Sequence, residues 1–134
     1  MIILQKFIDR EDLKNNPNLY YIFGDNDMRI GTGGQAFEMR GEPNAIGIRV
    51  KKAPKTLLYA YYNDKDYSKN IEKISEDICN IDKLLLQDKT VVFPSDGIGT
   101  GLARLNEVAP KTFKYLTNSL NKLLKKYGKK NYGF

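Results

Sequence analysis

The sequence predicts an α/β protein, a three-layer α/β/α fold built on a central, mainly parallel sheet. Short β-prone apolar runs alternate along the chain with helical stripes, the order that results when helices connect parallel strands. Two of the runs, Leu19–Phe23 and Thr90–Phe93, read as buried strands, and each leads into a glycine-rich cluster. At 134 residues with 41% hydrophobic and 28% charged positions, the chain can bury one core and is too apolar for a disordered segment. No repeat, linker or low-complexity stretch divides it, so residues 1–134 are expected to form a single domain.

The elements follow in order. Met1–Phe7 reads as the first strand, and Asp9 as the N-cap of a short helix with Arg10–Leu13 in its first turn, closed by Asn15-Asn16-Pro17. The strand Leu19–Phe23 ends abruptly at Gly24-Asp25-Asn26. Thr32–Arg40 reads as a glycine loop entering a short helix, Gly41–Asn44 as a turn, and Ala45–Val50 as another strand. Leu57–Tyr62 is apolar and aromatic, either a further strand or a wall, and Asn63–Asp66 is a loop. Ile71, Ile74, Ile78, Ile81 and Leu85 recur at helical spacing, with Ser68 as N-cap and Cys79 packed beside the stripe. After the strand Thr90–Phe93 and the second glycine loop, a last helix is expected from near Glu107. Pro110 is tolerable in its first turn, and Phe113, Leu116, Leu120, Leu123 and Tyr127 form its buried stripe.

Composition narrows the chemistry. The chain has no histidine and one cysteine, Cys79, which removes imidazole bases, Ser-His-Asp and Cys-His pairs, internal disulfides and the usual zinc sites. No metal or cofactor is expected, and the cysteine usage fits a reducing cytoplasm. No apolar stretch is long enough for a membrane span. The net charge of +6 is uneven: from Lys111 onward there are seven lysines and no acidic residue, so residues 1–110 carry −1. That lysine-rich end reads as a solvated helix face or as a surface attracted to nucleic acid, with Tyr127 and Tyr132 as accompanying aromatics.

The two glycine clusters carry the functional expectation. The first comprises Gly24, Asp25 and Asn26, then Gly31, Thr32, Gly33, Gly34, Gln35 and Ala36. The second runs from Pro94 through Ser95, Asp96, Gly97, Ile98, Gly99, Thr100, Gly101 and Leu102 to Ala103. A backbone without Cβ can approach an anion closely and aim successive N–H groups at it, and a helix start behind the loop adds its dipole. The hydroxyls of Thr32, Ser95 and Thr100 can supplement those amides. Ligands of open α/β sheets bind at the carboxyl ends of the strands, so two such loops there suit a diphosphate. There is no P-loop signature, and although Gly31–Ala36 satisfies G-x-G-x-x-A, it begins seven residues beyond Gly24 and no acid closes the next strand.

The segments Y-I-F-G-D-N-D-M-R-I-G-T-G-G-Q-A-F-E-M-R-G, from Tyr21, and V-V-F-P-S-D-G-I-G-T-G-L-A-R-L, from Val91, resemble the two ligand loops of the macrodomain family, which binds ADP-ribose and its derivatives. The wording is closer still to an uncharacterised macro-like group common in bacteriophages and bacteria, and the similarity covers roughly Leu19–Leu116. The resemblance implies Asn26 against the distal ribose, with Gly33, Gly34 and Ala36 beside it, and Ser95 through Gly101 around the diphosphate. It implies Lys51 in the place of the lysine that removes ADP-ribose from proteins, with Asp96 in the loop that supplies its carboxylate partner. Asn26, Lys51 and Asp96 are thus the expected catalytic residues. An aspartate of the family's opening G-D-I motif is missing, Asp9 and Asp12 being the nearest acids, and Asp96 precedes the glycines instead of following them.

Without histidine, hydrolysis at the distal ribose would use a water oriented by Asn26 and a phosphate or deprotonated by Asp96 or Asp25. Alternatively, Lys51 would attack C1″ as a neutral amine, its neighbour Lys52 lowering its proton affinity. The expected partner is an ADP-ribose-like small molecule or an ADP-ribosylated protein, acted on by an ADP-ribosyl hydrolase or an ADP-ribose-1″-phosphate phosphatase. The same loops would also serve a non-catalytic reader or sponge for nucleotide signals in phage–host conflict, in the host cytoplasm if the chain is phage-encoded.

Overall fold

The computed structural model describes residues 1–132. Five strands form one sheet: β1 (Ile2–Gln5), β2 (Leu19–Asn26), β3 (Ala45–Lys51), β4 (Thr90–Pro94) and β5 (Lys129–Tyr132), in the order β3-β2-β4-β1-β5. Every pairing is parallel. The sheet is therefore not merely mainly parallel, and all carboxyl ends lie on one side.

Alternation along the strands divides the core into two layers. Ile2, Ile22, Ile48 and Val91 pack with α3 (Tyr67–Leu86) and α5 (Pro110–Tyr127) on one face. Ile3, Tyr21, Phe23 and Val92 pack with Leu13 of α1 (Arg10–Asn15) and Met39 of α2 (Ala36–Met39) on the other. The central strands β2 and β4 carry apolar residues on both sides because helices cover both faces, which is why Leu19–Phe23 and Thr90–Phe93 read as continuous hydrophobic runs.

Local chemistry sets most boundaries. Asp9 caps α1 as expected, its carboxylate accepting the Asp12 amide at 2.9 Å while Asp12 accepts the Asp9 amide at 3.0 Å, a complete capping box. The first strand is shorter than Met1–Phe7 because it pairs with β4 only over Ile2–Gln5. The expected N-cap Ser68 lies inside α3, which starts at Tyr67; Asp66 stands at the cap without a side-chain bond to the helix. Cys79 points to solvent, since it falls beside the stripe of Ile74, Ile81 and Leu85 and not within it. Leu57–Tyr62 is not a strand. It contains a 3-10 turn at Leu58–Ala60 and returns to the sheet by a single antiparallel bridge between Tyr61 and Lys51.

The last helix is two helices. A four-residue α4 (Leu105–Val108) precedes α5, and Ala109, at φ −146°, separates them. Pro110 then occupies the first turn of α5, where its missing N–H costs nothing. Ala109 has no side chain to cap with, and the cap comes from 45 residues upstream. Asp64 accepts the Lys111 and Thr112 amides at 2.9 and 3.0 Å and the Thr112 hydroxyl at 2.9 Å. Burial raises the proton affinity of Asp64, but these bonds outweigh it and hold the carboxyl below its ordinary value. Asp64→Ala is expected to cost about 1–2 kcal/mol. Because the folded-state pKa lies below the unfolded one of 3.8, that contribution is complete above 3.8 and is lost as pH falls through the folded value. Urea denaturation of both proteins at neutral pH and in acid measures it: the gap in midpoints should close in acid.

Candidate functional site: a cationic cleft between two glycine loops

Both glycine loops leave neighbouring strands, β2 and β4, at their carboxyl ends, and together they enclose a cleft of about 680 Å3. Gly24 forms its floor. A Cβ there would stand 3.3 Å from Val50 and 3.5 Å from Ile98, so a side chain at this position would press on β3 and touch the second loop. At the rim the loops touch, a Cβ on Gly33 meeting Leu102 at 3.0 Å. Leu102 is 59% exposed and bridges the two loops from outside.

Of the residues read from the sequence, Gly24, Asp25, Asn26, Gly31, Thr32, Gly33, Gly34, Gln35 and Ala36 all line this cleft, as do Lys51, Asp96, Gly97, Ile98, Gly99, Thr100, Gly101 and Leu102. Ser95 does not. Its amide is tied to the Gln5 carbonyl at 3.0 Å, and the residue lines a smaller cavity on the other side of the second loop.

The first loop is held by charge. Asp25, its side chain 2% exposed, takes the Arg40 guanidinium on both oxygens at 2.9 and 2.6 Å, and Arg29 approaches at 3.5 Å. With both oxygens occupied, Asp25 is an anchor and has no free lone pair positioned for a water. Arg40 also donates to the carbonyls of Ile30 and Gly31 at 3.1 and 3.0 Å. Asn26 donates to Ile30 O at 2.7 Å and accepts the Met28 amide at 3.0 Å, so its carboxamide shapes the loop from within. Arg29, in the left-handed region at φ 56°, reaches Asp77 of α3 at 2.7 Å and the Gly47 carbonyl at 2.9 Å. Gly47 must be glycine for this: a Cβ would lie 2.6 Å from Asp25. Asp27, next in the loop, takes Lys73 at 2.6 Å and the Tyr62 hydroxyl at 2.5 Å. Burial, with Asp27 beside it, pushes the Tyr62 phenol above its ordinary value, so it remains the donor in this bond.

These clamps turn the carbonyls of Ile30 and Gly31 toward Arg40, and the amides that follow have no such partner. From Gly31 to Gln35, and again from Ile98 to Ala103, no backbone N–H donates to another group of the described residues. Positive φ at Gly31, Gly34, Gly97 and Gly99 allows these consecutive open amides. The helix dipoles expected behind the loops contribute little, because α2 and α4 are four residues each. Open amides and side-chain cations supply the positive potential instead.

Four of those cations are Lys6, Arg40, Lys51 and Lys55, set against the acids Asp25 and Asp96. Lys51 is placed by an irregularity. The β2–β3 register moves from Asp25↔Arg49 to Asn26↔Lys51, skipping Val50, so Val50 and Lys51 both line the cleft although consecutive strand residues ordinarily face opposite ways. Only 9% of Lys51 is exposed; its ammonium sits 4.7 Å from the Tyr61 ring centroid and makes no ion pair among the described residues. Arg104 approaches the same ring at 5.7 Å. Lys52, by contrast, is paired with Asp66 at 3.2 Å and does not line the cleft. Asp96 is exposed and has no hydrogen bond or ion pair with the described residues. Asp9 and Asp12 are consumed by the capping box.

Sequence reading missed Arg40, Lys6, Lys55, Arg29 and Asp77. Arg40 closes a one-turn helix and Asp77 lies on the polar margin of α3, and neither position carries a local pattern. Lys55, in K-K-A-P-K, had a signal in its proline turn between cations. The wall alternative for Leu57–Tyr62 is the one the cleft uses, through Tyr61. No helix among the described residues is long and apolar enough to cross a membrane, and they contain no cluster of metal-binding side chains.

In comparison with known protein families, residues 3–119 fit the model described as "Family of unknown function (DUF7831)". No curated protein and no solved structure matches the chain.

Proposed function

From that match the chain belongs to DUF7831, a family of unknown function, and we propose that its cleft binds a nucleoside diphosphate sugar, ADP-ribose or a related NAD-derived nucleotide. What carries the reading is the pair of open amide rows, Gly31–Gln35 and Ile98–Ala103, on two sides of one cleft. Two such rows match two phosphates, and each amide-to-oxyanion bond is charge-assisted. The cations Lys6, Arg40, Lys51 and Lys55 exceed the lining acids by two and favour an anion further. The volume exceeds what a lone diphosphate needs and falls within the range of nucleotide-sized pockets. The similarity of the loop wording to macrodomains supports a ribose as the flanking group, while the aspartate that holds adenine in that family has no counterpart here.

Hydrolysis at the distal ribose is the second reading, and the buried, unpaired Lys51 favours it. With Asp25 and the Asn26 carboxamide already engaged, Lys51 and Asp96 remain as the lining side chains open to a distal ribose, and the Lys52–Asp66 pair takes away the neighbouring cation that a neutral Lys51 nucleophile called for. A reader or sponge would need the amide rows and neither of these two residues.

Titration calorimetry with ADP-ribose tests the binding. A dissociation constant of about 1–10 μM is expected, with pyrophosphate and ADP binding more weakly. No heat from a folded protein would reject the reading. Lys51→Ala is expected to weaken binding by about tenfold, roughly 1.4 kcal/mol, if the ammonium meets a phosphate. Incubation with ADP-ribose-1″-phosphate and with ADP-ribosylated protein then separates enzyme from reader, and turnover unchanged by Lys51→Ala and Asp96→Ala would remove both from catalysis.

A further inference from the structure

The second glycine loop has two sides. Away from the cleft it forms one wall of a groove of about 260 Å3 whose other walls are β1, β4 and α5. Phe93, Phe113, Leu120 and Leu124 make it apolar, and Thr117 and Asn121 supply hydrogen-bonding groups at its edge. It is smaller than the roughly 300–1,000 Å3 of pockets that enclose whole ligands, a size that suits one ring system.

What flanks the groove says which ring. Along α5, Phe113, Thr117, Leu120 and Leu124 form one stripe at i, i+4, i+7 and i+11. Lys114, Asn121 and Lys125, at i, i+7 and i+11, form the adjoining stripe on the solvent side, whereas Lys122 falls on the side of α5 away from the groove. These three lysines are exposed and have no ion pair among the described residues. Lys126 and Lys111 differ: Lys126 pairs with Asp82 on α3 at 3.2 Å, and Lys111 stands over the Tyr67 ring at 4.1 Å. Tyr127 also bonds Asp82 and is not available for stacking, and the side chain of Tyr132 lies outside the described residues. Among the described residues that line the groove, the one acid is Asp96, in its loop wall.

A row of free cations beside a ring-sized, aromatic-walled groove is the arrangement that holds unpaired bases and tracks their phosphates. We propose that the groove between the second glycine loop and α5 binds single-stranded nucleic acid, one base in the groove and the adjoining phosphates on Lys114 and Lys125. A duplex keeps its bases stacked and cannot fill the groove. An acidic peptide offers the charges without the ring.

Fluorescence anisotropy of a labelled ten-nucleotide thymidine strand with the full chain tests this. Binding is expected to weaken with salt, with a log–log slope of about −1.4, as two phosphate contacts on a single strand give. K114E/K125E should weaken it by about tenfold or more, and N121E, which leaves the lysines intact and puts a charge at the groove edge, by a smaller but clear factor. All three positions are exposed, so thermal melting should confirm an unchanged fold. The proposal is overturned by no anisotropy change up to roughly 100 μM protein in low salt, the weak end of such binding. It is equally overturned if a duplex or polyglutamate of equal charge competes as well as the strand, or if N121E binds like wild type. None of these residues lines the cleft, so ADP-ribose calorimetry on K114E/K125E should be unchanged, and the two proposals stand or fall separately.

Discussion

Arg40→Ala is expected to lower stability by about 3–5 kcal/mol, because it strands a buried carboxylate. Asp25, with 2% of its side chain exposed, has its strong partner in the bidentate Arg40; Arg29, at 3.5 Å, is too distant to replace it. Against a total of roughly 5–15 kcal/mol, the loss brings the domain close to unfolding. A drop in melting temperature of roughly 10–20 °C should accompany it. Arg40→Lys should recover only part, since an ammonium cannot hold both carboxylate oxygens and the Ile30 and Gly31 carbonyls at once. The informative variant is Asp25→Leu with Arg40→Met, which removes both charges. Stability should return in large part, as it does when a buried pair gives way to apolar packing. Ligand binding should not, because the carbonyls that Arg40 turns out of the cleft are then free to turn back. If the double variant binds ADP-ribose as well as wild type, Arg40 is a stabilising residue alone.

How much of this was legible in the sequence follows from how far each signal travels along the chain. Capping, turn and strand signals act within a few residues. The Asp9–Asp12 capping box, the runs Leu19–Phe23 and Thr90–Phe93, and the glycine loops were therefore readable, and the loops fall together because both strands run parallel into them. Ser68 failed as a cap because the preceding 3-10 turn, Asp64–Asp66, runs directly into the helix at Tyr67. Its first residue, Asp64, is spent on α5, a partner 47 positions away. Lys51 was found through the family resemblance; its burial depends on the skipped Val50 and on the ring of Tyr61, neither of which leaves a pattern in A-I-G-I-R-V-K. The ion-pair frame of the first loop was not legible at all. Asp25, Arg29, Arg40, Arg49 and Asp77 come from four segments; in the sequence Asp25 reads as a loop ligand or base and not as an anchor, and the other four look like ordinary surface charges.

Asp77 is the far end of that frame and supports the second large effect. It lies on α3 with 3% of its side chain exposed and holds Arg29 at 2.7 Å and Arg49 at 3.1 Å, and it also accepts the Arg49 backbone amide at 2.8 Å. Asp77→Ala leaves the largely buried Arg49 guanidinium without its main partner and an amide without its acceptor, and a loss of about 3 kcal/mol or more is expected. Asp77→Asn keeps the shape and one acceptor, so it should cost less while still releasing Arg29. The consequence for the cleft differs from that of Arg40. Arg29 is 41% exposed and can reach water once released, but it holds the Gly47 carbonyl and keeps an unfavourable φ of 56° only while tethered. Loosening it frees the segment between Asn26 and Ile30, so ligand affinity in Asp77→Asn should fall by about tenfold, with slower association as the loop must first order itself. Arg29 touches both acids, so Asp77→Asn and Arg40→Lys should not be additive. A double-mutant cycle read by denaturation is expected to give a coupling of roughly 0.5–3 kcal/mol. Additivity within error would mean that the two ends of the frame hold the loop independently.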